Sequence, residues 1–133
     1  MKFIIDNIFL IGIVLLSGGA LVAHTLQRTG AKVSALQATQ IINQGKTLIL
    51  DVRTAEEFAA GHIRDAKNIP LKELKTRVVE LEKFKAKPVI VVCEKGVRSA
   101  KATAQLKKEG YAEAYSLLGG LDAWQSQGLP TTK

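Results

Sequence analysis

Four consecutive β-branched residues, Val89-Ile90-Val91-Val92, stand between Pro88 and the only cysteine of the chain, Cys93. A strand made from an unbroken apolar run has no face to give to water, so the sheet that holds it is covered by helices on both sides. The neighbouring sequence supplies those helices. Ser34 with Gln37 three residues later opens a helix that reaches Asn43 and stops at Gly45, and Thr47 to Leu50 is then a strand running into Asp51-Val52-Arg53. Thr54 with Glu57 repeats the capping signature, and Gly61 closes that short helix. Ile63 to Ile69 carries a brief extended piece before Pro70, after which Leu71, Leu74, Val78 and Leu81 recur at helical spacing. Behind Cys93 the pattern predicts a helix from about Arg98 to Glu109 ended by Gly110, a strand over Glu113 to Leu117, and a helix over Leu121 to Gln127. Such alternation predicts an α/β fold, an open parallel sheet with helices on both faces, whose crevice lies at the carboxyl ends of the strands. Asp51 to Arg53 and Cys93 to Arg98 fall at such ends.

The amino-terminal segment has a different character. No fully charged residue stands between Asp6 and Arg28, and the 21 positions from Asn7 to Gln27 would form a helix about 31 Å long, against a hydrocarbon core of about 30 Å. The expected organisation is therefore a transmembrane anchor over residues 1–27, a linker over 28–33 and a folded domain over 34–130. A cleaved signal peptide fits less well, since Leu21-Val22-Ala23 before His24 is a poor small-x-small site. Ser17-Gly18-Gly19-Ala20 would admit close approach by another membrane helix, which leaves a membrane-protein partner open. Arg28, Lys32 and Lys46 follow the span while Lys2 and Asp6 precede it, a bias that puts the domain in the cytoplasm.

All but Lys2 of the 19 Lys and Arg, and all but Asp6 of the 12 Asp and Glu, lie beyond that segment, so the surplus of seven positive charges belongs to the domain. A basic domain attracts small anions and anionic lipid. Nucleic acid is not expected as a partner, because Lys83, Lys85 and Lys87 sit at a helix end, where cations favour the helix dipole. With a single cysteine there is no internal disulfide. His24 has no second histidine, cysteine or carboxylate at metal-binding spacing, so neither a metal nor another cofactor is expected.

The loop Cys93-Glu94-Lys95-Gly96-Val97-Arg98-Ser99 carries the chemistry. A buried strand delivers the sulfur to the sheet edge, Gly96 lets the chain curl, and the amides of Val97 to Ala100 begin a helix whose positive end faces the sulfur. Cysteines in such settings are reactive thiolates near neutral pH. Four residues separate Cys93 from Arg98, a short ring of amides closed by a guanidinium, and such a nest solvates an anion. Ser99 satisfies a loop amide or caps the helix, while Glu94 and Lys95 present variable side chains that tune what fits. Asp51 orients the loop through its amides or Arg98, or caps the following helix. Arg53 with Glu56 or Glu57 forms an ion pair fixing the strand-to-helix turn. His62 and Trp124 read as scaffold and core.

Asp51-Val52-Arg53, Glu57-Phe58, Gly61-His62-Ile63, Asn68-Ile69-Pro70, the Cys93 to Ser99 loop, Leu118-Gly119-Gly120-Leu121, Ala123-Trp124 and Gly128-Leu129-Pro130 together resemble a single-domain rhodanese, over residues 34–130. The resemblance implies a rhodanese-like sheet and a sulfurtransferase in which Cys93 takes sulfane sulfur from a small anion such as thiosulfate, holds it as a persulfide, and passes it to a thiol or cyanide acceptor. The amino-terminal helix resembles that of a bacterial inner-membrane subgroup, which implies a single-pass protein with its catalytic domain in the cytoplasm. Two further readings stand beside this one. A non-catalytic rhodanese-like scaffold would leave Cys93 incidental. A phosphatase or arsenate reductase-like enzyme is disfavoured, since related phosphatases use five intervening residues and a histidine where Val92 stands.

Overall fold

The computed structural model of the chain describes the backbone of residues 1–29 and 31–133, and the side chains outside residues 21–30. In chain order its elements are α1 (Lys2–Asp6), α2 (Ile8–Thr29), β1 (Ala31–Val33), α3 (Ala35–Asn43), β2 (Leu48–Asp51), α4 (Ala55–Ala60), β3 (Lys67–Asn68), α5 (Leu74–Arg77), β4 (Val89–Val92), α6 (Val97–Lys108), β5 (Ala114–Leu117) and α7 (Gly120–Ser126). The strands form one five-stranded sheet in the order β1-β5-β4-β2-β3, with every neighbouring pair parallel. Leu48 faces Val89 and Asp51 faces Val92 across the central pair. That register brings the end of β2 level with Cys93, the residue that follows β4.

The period of two along β4 divides the interior into two cores. Val89 and Val91 join Leu48, Leu50, Leu74, Leu81 and Leu106 on one face. Ile90 and Val92 join Ile49, Leu117, Leu121 and Trp124 on the other. All four β4 residues are buried, which is why this strand carries no polar side chain.

Both predicted capping boxes form. Ser34 Oγ accepts from Gln37 N and Gln37 Oε1 from Ser34 N, while Thr54 and Glu57 repeat the exchange. The stretch from Leu71 to Leu81 departs from the expected single helix. It is a 3-10 turn (Leu71–Glu73), the four-residue α5, and a second 3-10 turn (Val78–Phe84). The β-branched pair Val78-Val79 is a poor helix former, and the Val78 carbonyl accepts from Tyr111 Oη at 3.3 Å. Leu74 and Leu81 still reach the core. Residues 31–33, expected to be linker, are the edge strand β1, paired with β5 from Ala31 opposite Tyr115 to Val33 opposite Leu117. Three residues are too few to show a period.

The membrane anchor requires correction. Among the described residues no helix is long and apolar enough to cross a membrane. Of the expected span, residues 7–20 have described side chains. The remainder of the expected span, residues 21–27, lies outside the described side chains. This overturns the single-pass inner-membrane location and the orientation drawn from it, and removes the support for the membrane and a membrane protein as partners. The described apolar side chains of α2 stand exposed and join neither core.

Candidate active site

Backbone contacts fix the β4-to-α6 loop before any side chain acts. The Cys93 carbonyl accepts from Leu121 N at 2.8 Å and the Glu94 carbonyl from Asp122 N at 3.1 Å, so the first turn of α7 grips the start of the loop. A Cβ at Gly120 would collide with both carbonyl oxygens, and the residue has φ +61°. Glycine is required there for close approach and for the left-handed backbone. Gly96, at φ +100°, turns the chain so that its own N–H donates to Cys93 Sγ at 3.0 Å. The amides of Val97, Arg98 and Ser99 follow in the first turn of α6, where no intrahelical acceptor exists and the helix dipole is positive.

Cys93 is 1% exposed and closes one end of the core built from Leu50, Val52 and Val91. The residue nevertheless lines a cavity of about 320 Å³ together with Glu94, Lys95, Val97 and Arg98. Ser99 Oγ lies 3.3 Å from Sγ and 2.7 Å from Ser116 Oγ, both serines being buried. When the sulfur is a thiolate, Ser99 must be the donor in that contact. Ser116 lies on β5, and a serine in a strand carries no signal in the sequence of what lies opposite.

The two arginines are arranged otherwise than expected. Arg53 is buried and paired with Asp51: its Nη2 donates to Asp51 at 2.8 Å and to the Gly61 carbonyl at 2.6 Å, and its backbone N–H donates to Asp51 Oδ1 at 2.9 Å. Its Nη1 extends to Glu94 at 3.4 Å, so Asp51 acts on the loop through Arg53 rather than through Arg98 or the loop amides. The carboxylate of Glu57 belongs to Arg98, in a two-pronged contact at 2.8 and 2.9 Å. The Arg98 hydrogen bonds, with help from Thr54 N–H against partial burial, hold the Glu57 carboxyl down at about 2. Arg98 thus lines the sulfur cavity with its charge already engaged. Residues 41 apart give no spacing signal, which is why this pair was not foreseen.

His62 stacks on Phe58 with ring centres 3.7 Å apart, its Nδ1 is 2.8 Å from the Phe58 carbonyl, and its backbone pairs with Thr132. It serves the scaffold and lines neither cavity beside the loop. Trp124 is core, with Nε1 donating to the Pro130 carbonyl at 2.9 Å. Among the described residues no group of three His, Cys, Asp or Glu side chains is placed to hold a metal ion.

Residues 34–127 match the family model described as rhodanese-like domain. The chain is 44% identical over 79 residues to the uncharacterized protein YqhL of Bacillus subtilis (strain 168), covering 59% of this chain and 61% of the relative's length. It is 30% identical over 95 residues to the thiosulfate sulfurtransferase GlpE of Coxiella burnetii (strain RSA 331 / Henzerling II), covering 71% of this chain and 87% of that one. The crystal structure of a rhodanese-related protein from Thermoplasma volcanium superposes with a TM-score of 0.70 at 30% identity, covering 77% of this chain and 97% of the other.

Proposed function

The chain belongs to the rhodanese-like domain family, and from that premise we propose that it is a sulfurtransferase, moving sulfane sulfur from a small anion such as thiosulfate to a thiophilic acceptor through a Cys93 persulfide. A relative of 30% identity named as a thiosulfate sulfurtransferase supports the donor class. The observation that carries the reading is the Gly96 N–H aimed at Sγ from 3.0 Å at the mouth of a cavity. A structural cysteine would need neither the donor nor the space.

In the first half-reaction the Cys93 thiolate attacks the outer sulfur of thiosulfate. The new bond joins Sγ to that sulfur, the old sulfur–sulfur bond breaks, and its electron pair leaves with sulfite. No proton has to be abstracted, so no general base is needed. The terminal sulfur is anionic after transfer and sits among the first-turn amides of α6, a preorganised positive environment. Ser99 supplies one further hydroxyl donor to the sulfur, and Glu94 and Lys95 shape the mouth. Asp51 and Arg53 are supporting residues, bracing the β2 end against Glu94. In the second half-reaction an acceptor attacks the terminal sulfur and Cys93 departs as thiolate. The absence of a second cysteine in the chain means that the acceptor comes from outside.

The test is the intact mass of the full chain before and after thiosulfate. The expected result is a gain of one sulfur atom, discharged by cyanide and missing in Cys93→Ser. A mass unchanged by thiosulfate in the folded wild-type protein would sink the reading.

A further inference from the structure

A second cavity, of about 440 Å³, opens beside the same loop and shares Lys95 and Val97 with the sulfur cavity. Its volume is that of a small-molecule site. Its charge is unlike that of the first. Lys32 from β1, Lys95 from the loop and Lys101 from α6 line it, and no carboxylate does. None of the three makes an ion pair among the described residues, whereas Arg53 and Arg98 beside the sulfur are bound to Asp51, Glu94 and Glu57. Of these uncommitted charges Lys95 borders both cavities, while Lys32 and Lys101 border the second alone. The same cavity carries apolar surface: Val97 is 67% exposed and Leu118 54% exposed. Ser116 adds a hydroxyl to its lining. An occupant that fits carries negative charge on a short apolar frame.

We propose that this cavity seats the sulfur acceptor, and that the acceptor is a small thiol bearing carboxylates; the proposal rests on the persulfide reading given above. The carboxylates would meet Lys32 and Lys101 while the thiol crosses Val97 to the persulfide. There the acceptor thiolate bonds to the terminal sulfur, the bond to Cys93 Sγ breaks, and Cys93 keeps the electron pair as thiolate. No oxidant or reductant is consumed. The three lysines steer and hold the anionic end, and an uncharged thiol gains nothing from them.

The experiment separates the acceptor step from the donor step. The full chain is loaded with thiosulfate, freed of excess donor, and mixed with mercaptosuccinate or with uncharged 2-mercaptoethanol, and the second-order rate of sulfur loss is followed by intact mass. The readout is the ratio of the two rates, which cancels general changes in persulfide reactivity. In Lys32→Gln/Lys101→Gln that ratio is expected to fall about tenfold, the loss expected of two partly screened charge contacts, and to fall further in Lys32→Glu/Lys101→Glu. Lys107→Gln, on the same helix but outside the cavity, is expected to keep the wild-type ratio. A ratio unmoved by both double substitutions, or moved equally by Lys107→Gln, overturns the proposal while leaving the persulfide reading intact. Failure of the wild-type chain to load sulfur at all overturns both.

Discussion

Glu57 serves two partners with one side chain. It closes the capping box of α4 by accepting from Thr54 N at 3.3 Å, and it holds Arg98 in a two-pronged ion pair. Glu57→Gln separates these duties, because glutamine still accepts from Thr54 but brings no charge to Arg98. The carboxyl is held at about 2 against an ordinary 4.5, first through the Arg98 hydrogen bonds. A depressed carboxylate stabilises the fold fully above its unfolded value and loses that contribution as the pH falls toward its folded value. The pair is about one-third exposed, so solvent screening leaves about 1 kcal/mol of the stabilisation. Urea unfolding should show wild type more stable than Glu57→Gln by that amount at pH 6, with the gap closing between pH 4.5 and 2. A gap constant across that window would contradict the assignment. The same substitution frees Arg98 beside the sulfur, so the apparent KM for thiosulfate should fall by about threefold to tenfold, the gain of one charge-assisted contact. At this scale the turn at Gly96 beside Cys93 and the capping boxes were legible, because their partners lie within six residues. It hid Arg98–Glu57 and Ser99–Ser116, which exist only once the sheet has assembled.

Elements meet through glycine where side chains would keep them apart. Gly120 and Gly128 have nearly the same left-handed backbone, φ +61° and +75°, but a Cβ at Gly120 meets the carbonyls of Cys93 and Glu94, while one at Gly128 meets nothing within 4 Å. Gly128→Ala should therefore cost only the backbone penalty, about 1 kcal/mol. Gly120→Ala adds a collision with rigid backbone and should cost about 3 kcal/mol or displace the loop. Chemical denaturation of both variants, with the rate of sulfur uptake by Cys93, tests the contrast. Equal costs in the two would mean that α7 does not hold the loop. Helix ends were legible because caps are local chemistry, as Ser34, Thr54 and Gly61 demonstrate. The interior of the 71–84 stretch was not, since its Leu and Val spacing suits a helix or a string of 3-10 turns equally well. The Val78 carbonyl, at the start of the second 3-10 turn, also accepts from Tyr111, a partner 33 residues away that no local spacing announces.

At the scale of the molecule, the apolar run of β4 foretold a sheet covered on both faces, and the two cores are that prediction in three dimensions. Strand order was not foretold, because periodicity says which face of a strand is buried and nothing about its neighbours. Residue counting also misjudged the amino-terminal segment, where a length of uncharged sequence stood in for a membrane span that the described residues do not contain. Charge, by contrast, is additive over the chain and survives any error of topology. The chain carries a surplus of seven positive charges, and under the proposed function its donor is a doubly charged anion, whose rate of encounter the field of such a surface raises. That field reaches about 30 Å at 0.01 M salt but only about 6 Å at 0.3 M, following the inverse square root of ionic strength. Sulfur uptake from thiosulfate should therefore slow by about threefold to tenfold between those salt concentrations. Alkylation of Cys93 by uncharged iodoacetamide should stay nearly level, because only the anion is steered. If both rates fell together, salt would be acting on the loop itself, and electrostatic attraction of the donor would have no part in the reaction.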